Sequence, residues 1–260
     1  MDLALTADLG NSRLKLCVWS LVGDPRVVAR ASLESAPGAG ARAAAFARAT
    51  SGIGLCALSS VAGAALEHEV RGALSEALQR PVHLAPPAGL VLDVRAPERV
   101  GPDRVYAARG ALALASGAPG LVVVDAGTAL TVDALDVRGR RFLGGAIAPG
   151  PALLARALAQ HTARLPHVEP AVGARALGRD TESALQAGIV VGFRGAAREL
   201  ALSVAAEAGF DAPPVVLTGG ARALLITPPL FTRPGFGGVR EDEDLVHRGL
   251  LAALREGLRA

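Results

Sequence analysis

The segment Asp8-Leu9-Gly10-Asn11-Ser12-Arg13-Leu14-Lys15 has the make-up of a grip for phosphate. Glycine lets the main chain come close to a ligand, so backbone N–H groups, with a small amide and a hydroxyl beside them, can be brought against phosphate oxygens. Asp8, at the start, is a carboxylate suited to Mg²⁺ held through water, as is usual in phosphoryl transfer. Lys15 is the only lysine in a chain with 27 basic residues. A sequence that writes arginine everywhere else keeps a compact ammonium here, on the same strand face as Arg13. Alone, the segment also reads as an ordinary β-hairpin tip, because Asp-x-Gly turns are common.

The pattern is written twice. Leu3-Ala4-Leu5-Thr6-Ala7 leads into the first turn, and Leu14, Leu16 and Val18 alternate with Arg13, Lys15 and Cys17 after it. Later, Leu121-Val122-Val123-Val124 meets Asp125-Ala126-Gly127-Thr128-Ala129 and continues as Leu130-Thr131-Val132-Asp133-Ala134-Leu135. Aligning Asp8 with Asp125 aligns Gly10 with Gly127. A repeat this long is too large for a solenoid unit, so it predicts two related domains, 1–117 and 118–260, each opening with a hairpin. The final helix is free in this reading to pack back on the first domain.

The elements that must hold these turns alternate between strand and helix. After the first hairpin come a strand near 26–31, an Ala/Arg helix over 40–50, a strand at 53–59, a helix over 64–79 and a short strand at 82–84. A Pro-rich stretch through Arg99 precedes a helix from Pro102 to about Ser116, and Gly117-Ala118-Pro119-Gly120 marks the boundary. In the second half a strand closes at 140–147, helices follow over 151–160 and 181–208, Val215-Val216-Leu217 is a buried strand, and Gly219-Gly220 turns into a short helix. The run Glu241-Asp242-Glu243-Asp244 reads as capping for a last helix ending near Leu258, at the positive end of its macrodipole. This is α/β wiring.

Composition narrows the function classes. With 51% hydrophobic and 20% charged residues over 260 positions, disorder and fibrous repeats are excluded. No window offers the run of about twenty apolar residues that a membrane span needs, and the start lacks the basic and apolar regions of an export signal, so the expectation is a soluble, cytoplasmic chain with no membrane partner. Two cysteines, Cys17 and Cys56, without CxxC or clustered histidines, give neither a disulfide framework nor a zinc site and read as small buried hydrophobes. A net charge of +3, scattered arginines and 3% aromatic content argue against a nucleic-acid surface.

The doubled Asp-x-Gly hairpin, with Thr218-Gly219-Gly220-Ala221 near the end, resembles the actin, sugar-kinase and Hsp70 superfamily. The ordered set Gly101-Pro102-Asp103-Arg104, Asp125-Ala126-Gly127-Thr128-Ala129, Gly144-Gly145-Ala146-Ile147-Ala148-Pro149-Gly150, Leu165-Pro166 and Gly178-Arg179-Asp180-Thr181 resembles the type III pantothenate kinases. That resemblance implies an α/β fold of two related ribonuclease-H-like (actin-like ATPase) domains with a cleft between them. It implies ATP-dependent phosphorylation of pantothenate, the first step of coenzyme A synthesis, by a homodimer that uses Mg²⁺ or another divalent ion together with K⁺ or NH₄⁺.

The residue roles follow from the same resemblance. Asp103 would accept the proton of the attacking primary alcohol; its alternative reading is a helix N-cap, and the two are compatible. Gly101, Pro102 and Arg104 would face the substrate, Arg104 suiting a carboxylate or phosphate. Thr181 would line the substrate pocket or, equally, cap the helix that follows. Asp125 would hold the monovalent cation, or else stabilise its turn. Thr128 would contact ATP, residues Asp8 to Lys15 would wrap its phosphates, and Gly219-Gly220 would lie along the adenosine, with a plain strand-to-helix turn as the alternative. Three departures stand out: Ser12 for threonine, Val94 for a tyrosine that covers substrate, and Asp180 for asparagine, which adds a negative charge near an anionic substrate. Two rivals follow, a kinase of another small alcohol or sugar on the same fold and a non-catalytic regulator like the Bvg accessory factor. The intact acids Asp8, Asp103 and Asp125 argue against the regulator.

Overall fold

A computed structural model describes residues 2–232 and 234–258; Met1 and Ala260, the outer limits of the two expected domains, lie outside it. The chain runs β1 (Leu3–Leu9), β2 (Arg13–Ser20), β3 (Arg26–Glu34), α1 (Ala39–Arg48), β4 (Ile53–Ser60), α2 (Ala64–Leu78) and β5 (His83–Leu84). It continues through β6 (Val91–Leu92), a 3₁₀ turn (Pro97–Arg99) and α3 (Pro102–Ala111) to a second hairpin, β7 (Gly120–Ala126) and β8 (Ala129–Asp136). There follow β9 (Arg141–Pro149), α4 (Pro151–His161), α5 (Thr181–Gln186), a π-helical turn (Ala187–Val191), α6 (Gly192–Glu207), β10 (Val215–Thr218), α7 (Ala223–Ile226), β11 (Val239–Glu241) and α8 (Leu245–Gly257).

These elements form two compact units. The first is built from the chain up to Leu90, from Ala96–Gly110 and from Asp244 onward; the second takes Val91–Arg95 and Ala111–Glu243. The first sheet has the order β3-β2-β1-β4-β5, antiparallel along the hairpins and parallel from β1 through β4 to β5. The second has β9-β8-β7-β10-β11 in the same pattern, with the short β6 added beside β9. The repeat read from the two hairpins therefore extends to whole sheets.

Each face of the first sheet is buried differently. Leu5, Ala7, Leu9, Leu14, Leu16 and Val18 form one core with Cys56 and Leu58 under α1 and α2. Small side chains let those helices approach closely: the buried face of α1 is Ala39, Gly40, Ala43, Ala44 and Ala47, and a Cβ on Gly40 would meet the Glu69 backbone. On the other face Ala4, Cys17 and Trp19 pack with Leu251 of α8. In the second unit, β7, β8 and β10 bury Val122, Val124, Leu130, Val132, Val215 and Leu217 against α6 and α7.

Several sequence expectations are corrected. The helix from Pro102 ends as an α-helix at Ala111 and passes into a 3₁₀ turn over Leu112–Leu114. The single helix expected over 181–208 is α5, a π-helical turn and α6. The acidic run does not cap α8: the Asp244 side chain makes no cap hydrogen bond and instead pairs with Arg30 at 2.5 Å, while Glu241 and Glu243 face Arg222. A guanidinium offers a carboxylate a stronger, two-pronged partner than a helix N–H. Cys56 is the small buried hydrophobe expected, burial pushing its thiol up to about 12, but Cys17 donates its S–H to Asp244 Oδ1 at 3.3 Å.

Candidate active site

In the first unit the strand register builds a polar row across one sheet face. Asp8 at the end of β1 lies opposite Lys15 on β2 and beside Ser59 on β4. Only 8% of Asp8 is exposed. Beyond it the hairpin tip is closed by the Gly10 N–H donating to the Arg13 carbonyl at 3.0 Å, with Asn11, Ser12 and Arg13 exposed. Leu9 and Leu14 place their side chains in the core on the opposite face, so the only groups they can turn toward a ligand are backbone ones. The Arg13 guanidinium bends onto β3, donating to Ser32 Oγ and the Ser32 carbonyl at 3.1 Å each.

Asp103 arrives at the same end of this sheet. Helix α3 starts at Pro102, whose missing N–H costs nothing in the first turn. Asp103 is therefore the second helical residue rather than the N-cap, though Oδ1 still accepts the Arg104 N–H at 2.9 Å. Gly101 lies close against both: a Cβ there would press on the end of the Asp103 carboxylate and touch the Val61 side chain. Val61 in turn donates its N–H to the Leu9 carbonyl at 3.0 Å, which ties the start of α3 to the strand carrying Asp8.

Behind the polar row lies a buried network. Thr6 Oγ1 accepts from Trp19 Nε1 at 2.9 Å and is 3.0 Å from His247 Nδ1, while Arg30 and Cys17 share Asp244. Burial first, and then the positive charge of Lys15, bring the His247 pKa down to about 4, with Asp244 opposing both. Burial alone would raise Asp244, but hydrogen bonds from Arg30 and Cys17 and the Arg30 charge hold its carboxyl below the usual value.

The second unit supplies the other half of the predicted residues. Asp125 at the end of β7 lies opposite Thr131 on β8 and beside Thr218 on β10. Gly219 has φ of 94°, a left-handed conformation suited to glycine, and a Cβ there would meet Asp125 Oδ1 and the Ala126 backbone. The Ala221 N–H donates to the Ala126 carbonyl at 2.8 Å, so the Gly219-Gly220 turn is fastened to the end of β7. Beside Gly220, by contrast, a Cβ would meet open space. The second hairpin is one residue tighter than the first: Asp125 faces Thr131 where Asp8 faces Lys15. Thr128 lies in that turn, its carbonyl accepting the Gly150 N–H at 3.0 Å.

Thr181 opens α5 but does not cap it. Asp180 does, accepting the Ser183 N–H at 2.8 Å while Ser183 Oγ accepts the Asp180 N–H in return. Those bonds hold the Asp180 carboxyl below its ordinary value, so the extra charge that this departure brings is engaged by the helix start. Val94 packs its side chain over Gly144. The sequence reading missed Arg222, which donates to the Gly219 carbonyl at 3.2 Å and to Glu243 Oε2 at 3.2 Å. Its signal was the Glu241-x-Glu243 spacing, which sets two carboxylates to face one arginine. It also missed Ser59, which has no motif around it.

Among the described residues no group of three or more His, Cys, Asp or Glu forms a metal cage. The donors fit ions of another kind. A hard, mostly buried carboxylate at Asp8 suits a divalent ion held through water, and Asp125, pressed against the turn backbone at Gly219, suits a larger cation that also takes carbonyl oxygens.

The described geometry can be set beside known proteins. The family model for type III pantothenate kinase matches residues 4–202. Type III pantothenate kinases of Dehalococcoides mccartyi are 41% identical over 138 residues, 53% of this chain, and the chain spans about half the length of these curated relatives. That of Halorhodospira halophila is 38% identical over 241 residues, 88% of this chain and 92% of the relative. Among solved structures, a Campylobacter jejuni protein described as a Baf family transcriptional activator superposes with TM-score 0.58 at 19% identity, covering 98% of this chain and 100% of that one. A ROK family glucokinase of Streptomyces griseus superposes with TM-score 0.53 at 15% identity over 99% and 100% of the two chains. At such identities these structures speak for the fold, the two-domain ribonuclease-H-like architecture of actin-like ATPases and sugar kinases. The chain belongs to the type III pantothenate kinase family.

Proposed function

We propose that this chain transfers the γ-phosphoryl group of ATP to the terminal hydroxyl of pantothenate, the entry step of coenzyme A synthesis. The observation that carries the reading is local to the first unit. Asp103 and the Asp8–Lys15 turn, two motifs far apart in sequence, meet at one end of one sheet through Gly101, Val61 and Leu9.

Asp103 accepts the proton of the substrate hydroxyl as it attacks the γ-phosphorus, and the Arg104 N–H on its Oδ1 fixes the carboxylate's direction. Lys15 and the tip amides of residues 10–12 offset phosphate charge. Thr128 and the Gly219-Gly220 turn bind the nucleotide, and the open space beside Gly220 supports that role. Gly101, Pro102, Arg104 and Thr181 hold pantothenate, Arg104 pairing with its carboxylate. Asp8 holds Mg²⁺ through water and Asp125 holds K⁺ or NH₄⁺; when bound, these ions neutralise the charge that gathers on the transferred group. Positioning and charge neutralisation thus supply most of the catalysis.

The chain acts as a homodimer in this reading. Apolar side chains stand exposed on neighbouring elements of the second unit, Ile147 on β9, Leu153 on α4, Val191 on the π-helical turn and Leu177 before α5, and a second copy would cover them. Both cysteines are buried thiols that form no disulfide with each other, which suits a reducing cytoplasm.

The test is ADP release with pantothenate in K⁺ and in Na⁺, beside a panel of other small alcohols and sugars. Pantothenate should be turned over, and faster in K⁺. Asp103→Asn should lose at least about 100-fold in kcat, the low end of what general-base groups contribute, while ATP still binds. Near-normal activity in that variant would show that Asp103 is not the base. Turnover of another acceptor in place of pantothenate would point to Val94, which stands where the family resemblance expects a tyrosine over the substrate.

A further inference from the structure

Ser59 on β4 presents a hydroxyl that is fully buried and, among the described residues, has no hydrogen-bond partner. Leaving a buried polar group unmatched costs stability, so such a group calls for an explanation. Its setting supplies one. Ser59 is in parallel register with Asp8, and alternation places both on the same sheet face. Leu5, Ala7 and Leu9 of β1 share the opposite face with Cys56 and Leu58 of β4, under α1 and α2. Adjacent strands lie about 4.8 Å apart, so the Ser59 hydroxyl and the Asp8 carboxylate are next-door neighbours. Alanine would fill the position without the unmatched oxygen.

We propose that Ser59 is a positioning residue for Asp8, its hydroxyl donating to the inner carboxylate oxygen when Asp8 turns its outer oxygen to the water shell of the divalent ion. The inference rests on the reading of Asp8 as the residue that holds that ion. Carboxylates that hold metal ions are themselves held by hydrogen bonds from behind, and removing such a partner typically weakens metal affinity about 10- to 100-fold. Ser59 stands in register beside Asp8, and among the described residues its hydroxyl has no other partner. Because Ser59 has no surface of its own, it acts through Asp8 rather than on substrate.

The experiment compares wild type with Ser59→Ala by calorimetric titration with ADP, once with Mg²⁺ and once with a chelator, together with thermal unfolding of the ligand-free proteins. ADP affinity in Mg²⁺ should fall about tenfold in the variant, the smaller end of the range because the ion is held through water. Affinity in chelator should not change, and the ligand-free melting temperature should stay level or rise, since the lost hydroxyl had no partner to leave behind. An unchanged Mg²⁺ dependence overturns the inference. So does an equal loss with and without Mg²⁺, or a lower ligand-free melting temperature, either of which would mark a purely structural serine. Should wild-type ADP binding ignore Mg²⁺, the assignment of Asp8 fails and takes this inference with it, while turnover of pantothenate by the same preparation reports separately on the kinase reading.

Discussion

His247 shows how one side chain can tie stability to pH. It is wholly enclosed in the first unit, its Nδ1 near Thr6 and its Nε2 unpartnered among the described residues. Its pKa falls from the ordinary 6.5 to about 4. The unfolded chain therefore binds a proton between those values that the folded chain refuses, and stability must drop as pH falls through that window. The size follows from the shift, about 3 kcal/mol by pH 4. Asp244 does not share the window: its carboxyl is held below the usual 3.8, so what it contributes is lost only at lower pH. Urea unfolding at pH 7, 5.5 and 4.5 should show the loss, and His247→Leu should flatten it; an undiminished slope in that variant would assign the effect elsewhere. Neither His247 nor Asp244 could be read correctly from local sequence. A histidine in an apolar helical stripe looks like any core position, and the arginine that claims Asp244 is 214 residues away.

Helices α3 and α8 cross in the first unit through glycine on both sides. A Cβ on Gly110 would meet the Leu245 carbonyl, and a Cβ on Gly249 the Tyr106 carbonyl, so neither backbone has room for a methyl group. Both obstacles are main-chain atoms, which cannot swing aside as a flexible side chain would. Gly249→Ala should therefore destabilise the protein by about 1–3 kcal/mol, the range for overpacking, despite alanine's better helix propensity. Gly257→Ala, where a Cβ meets nothing, is the control and should be neutral or stabilising in the same denaturant titration. Most elements were legible from simple signals: alternation marked β2, short apolar runs marked β1 and β7, and glycine turns marked the hairpin tips. What escaped notice lacked a period. The two residues of β6 and three of β11 are too short to alternate, and the π-helical turn inside Thr181–Glu207 has the same apolar content as the α-helix it interrupts.

The doubled hairpin foretold two related sheets, yet it could not show that the first unit is assembled from separate lengths of chain, since contact between residue 19 and residue 251 leaves no trace in a local pattern. That assembly makes α8 a clasp for its own unit. It covers Trp19 and Cys17 and brings Leu250, Leu251 and Leu254 into the interior, a burial worth about 1.5–3 kcal/mol for each large apolar side chain. A loss of this size is comparable with the net stability of a domain. Trp19 is the sole tryptophan and is buried under α8, so the molecule carries its own reporter. Ending the chain after Glu243 should shift the fluorescence to the red and make Cys17 accessible to a thiol reagent. The second unit, whose strands and helices all lie within Val91–Arg95 and Ala111–Glu243, should keep its secondary structure by circular dichroism. Nucleotide binding should be lost too, because Lys15 and Asp8 stand on the strands that α8 supports. If the shortened chain kept blue tryptophan emission and a protected Cys17, the strands of the first unit would be stable by themselves and α8 would be a passenger on them.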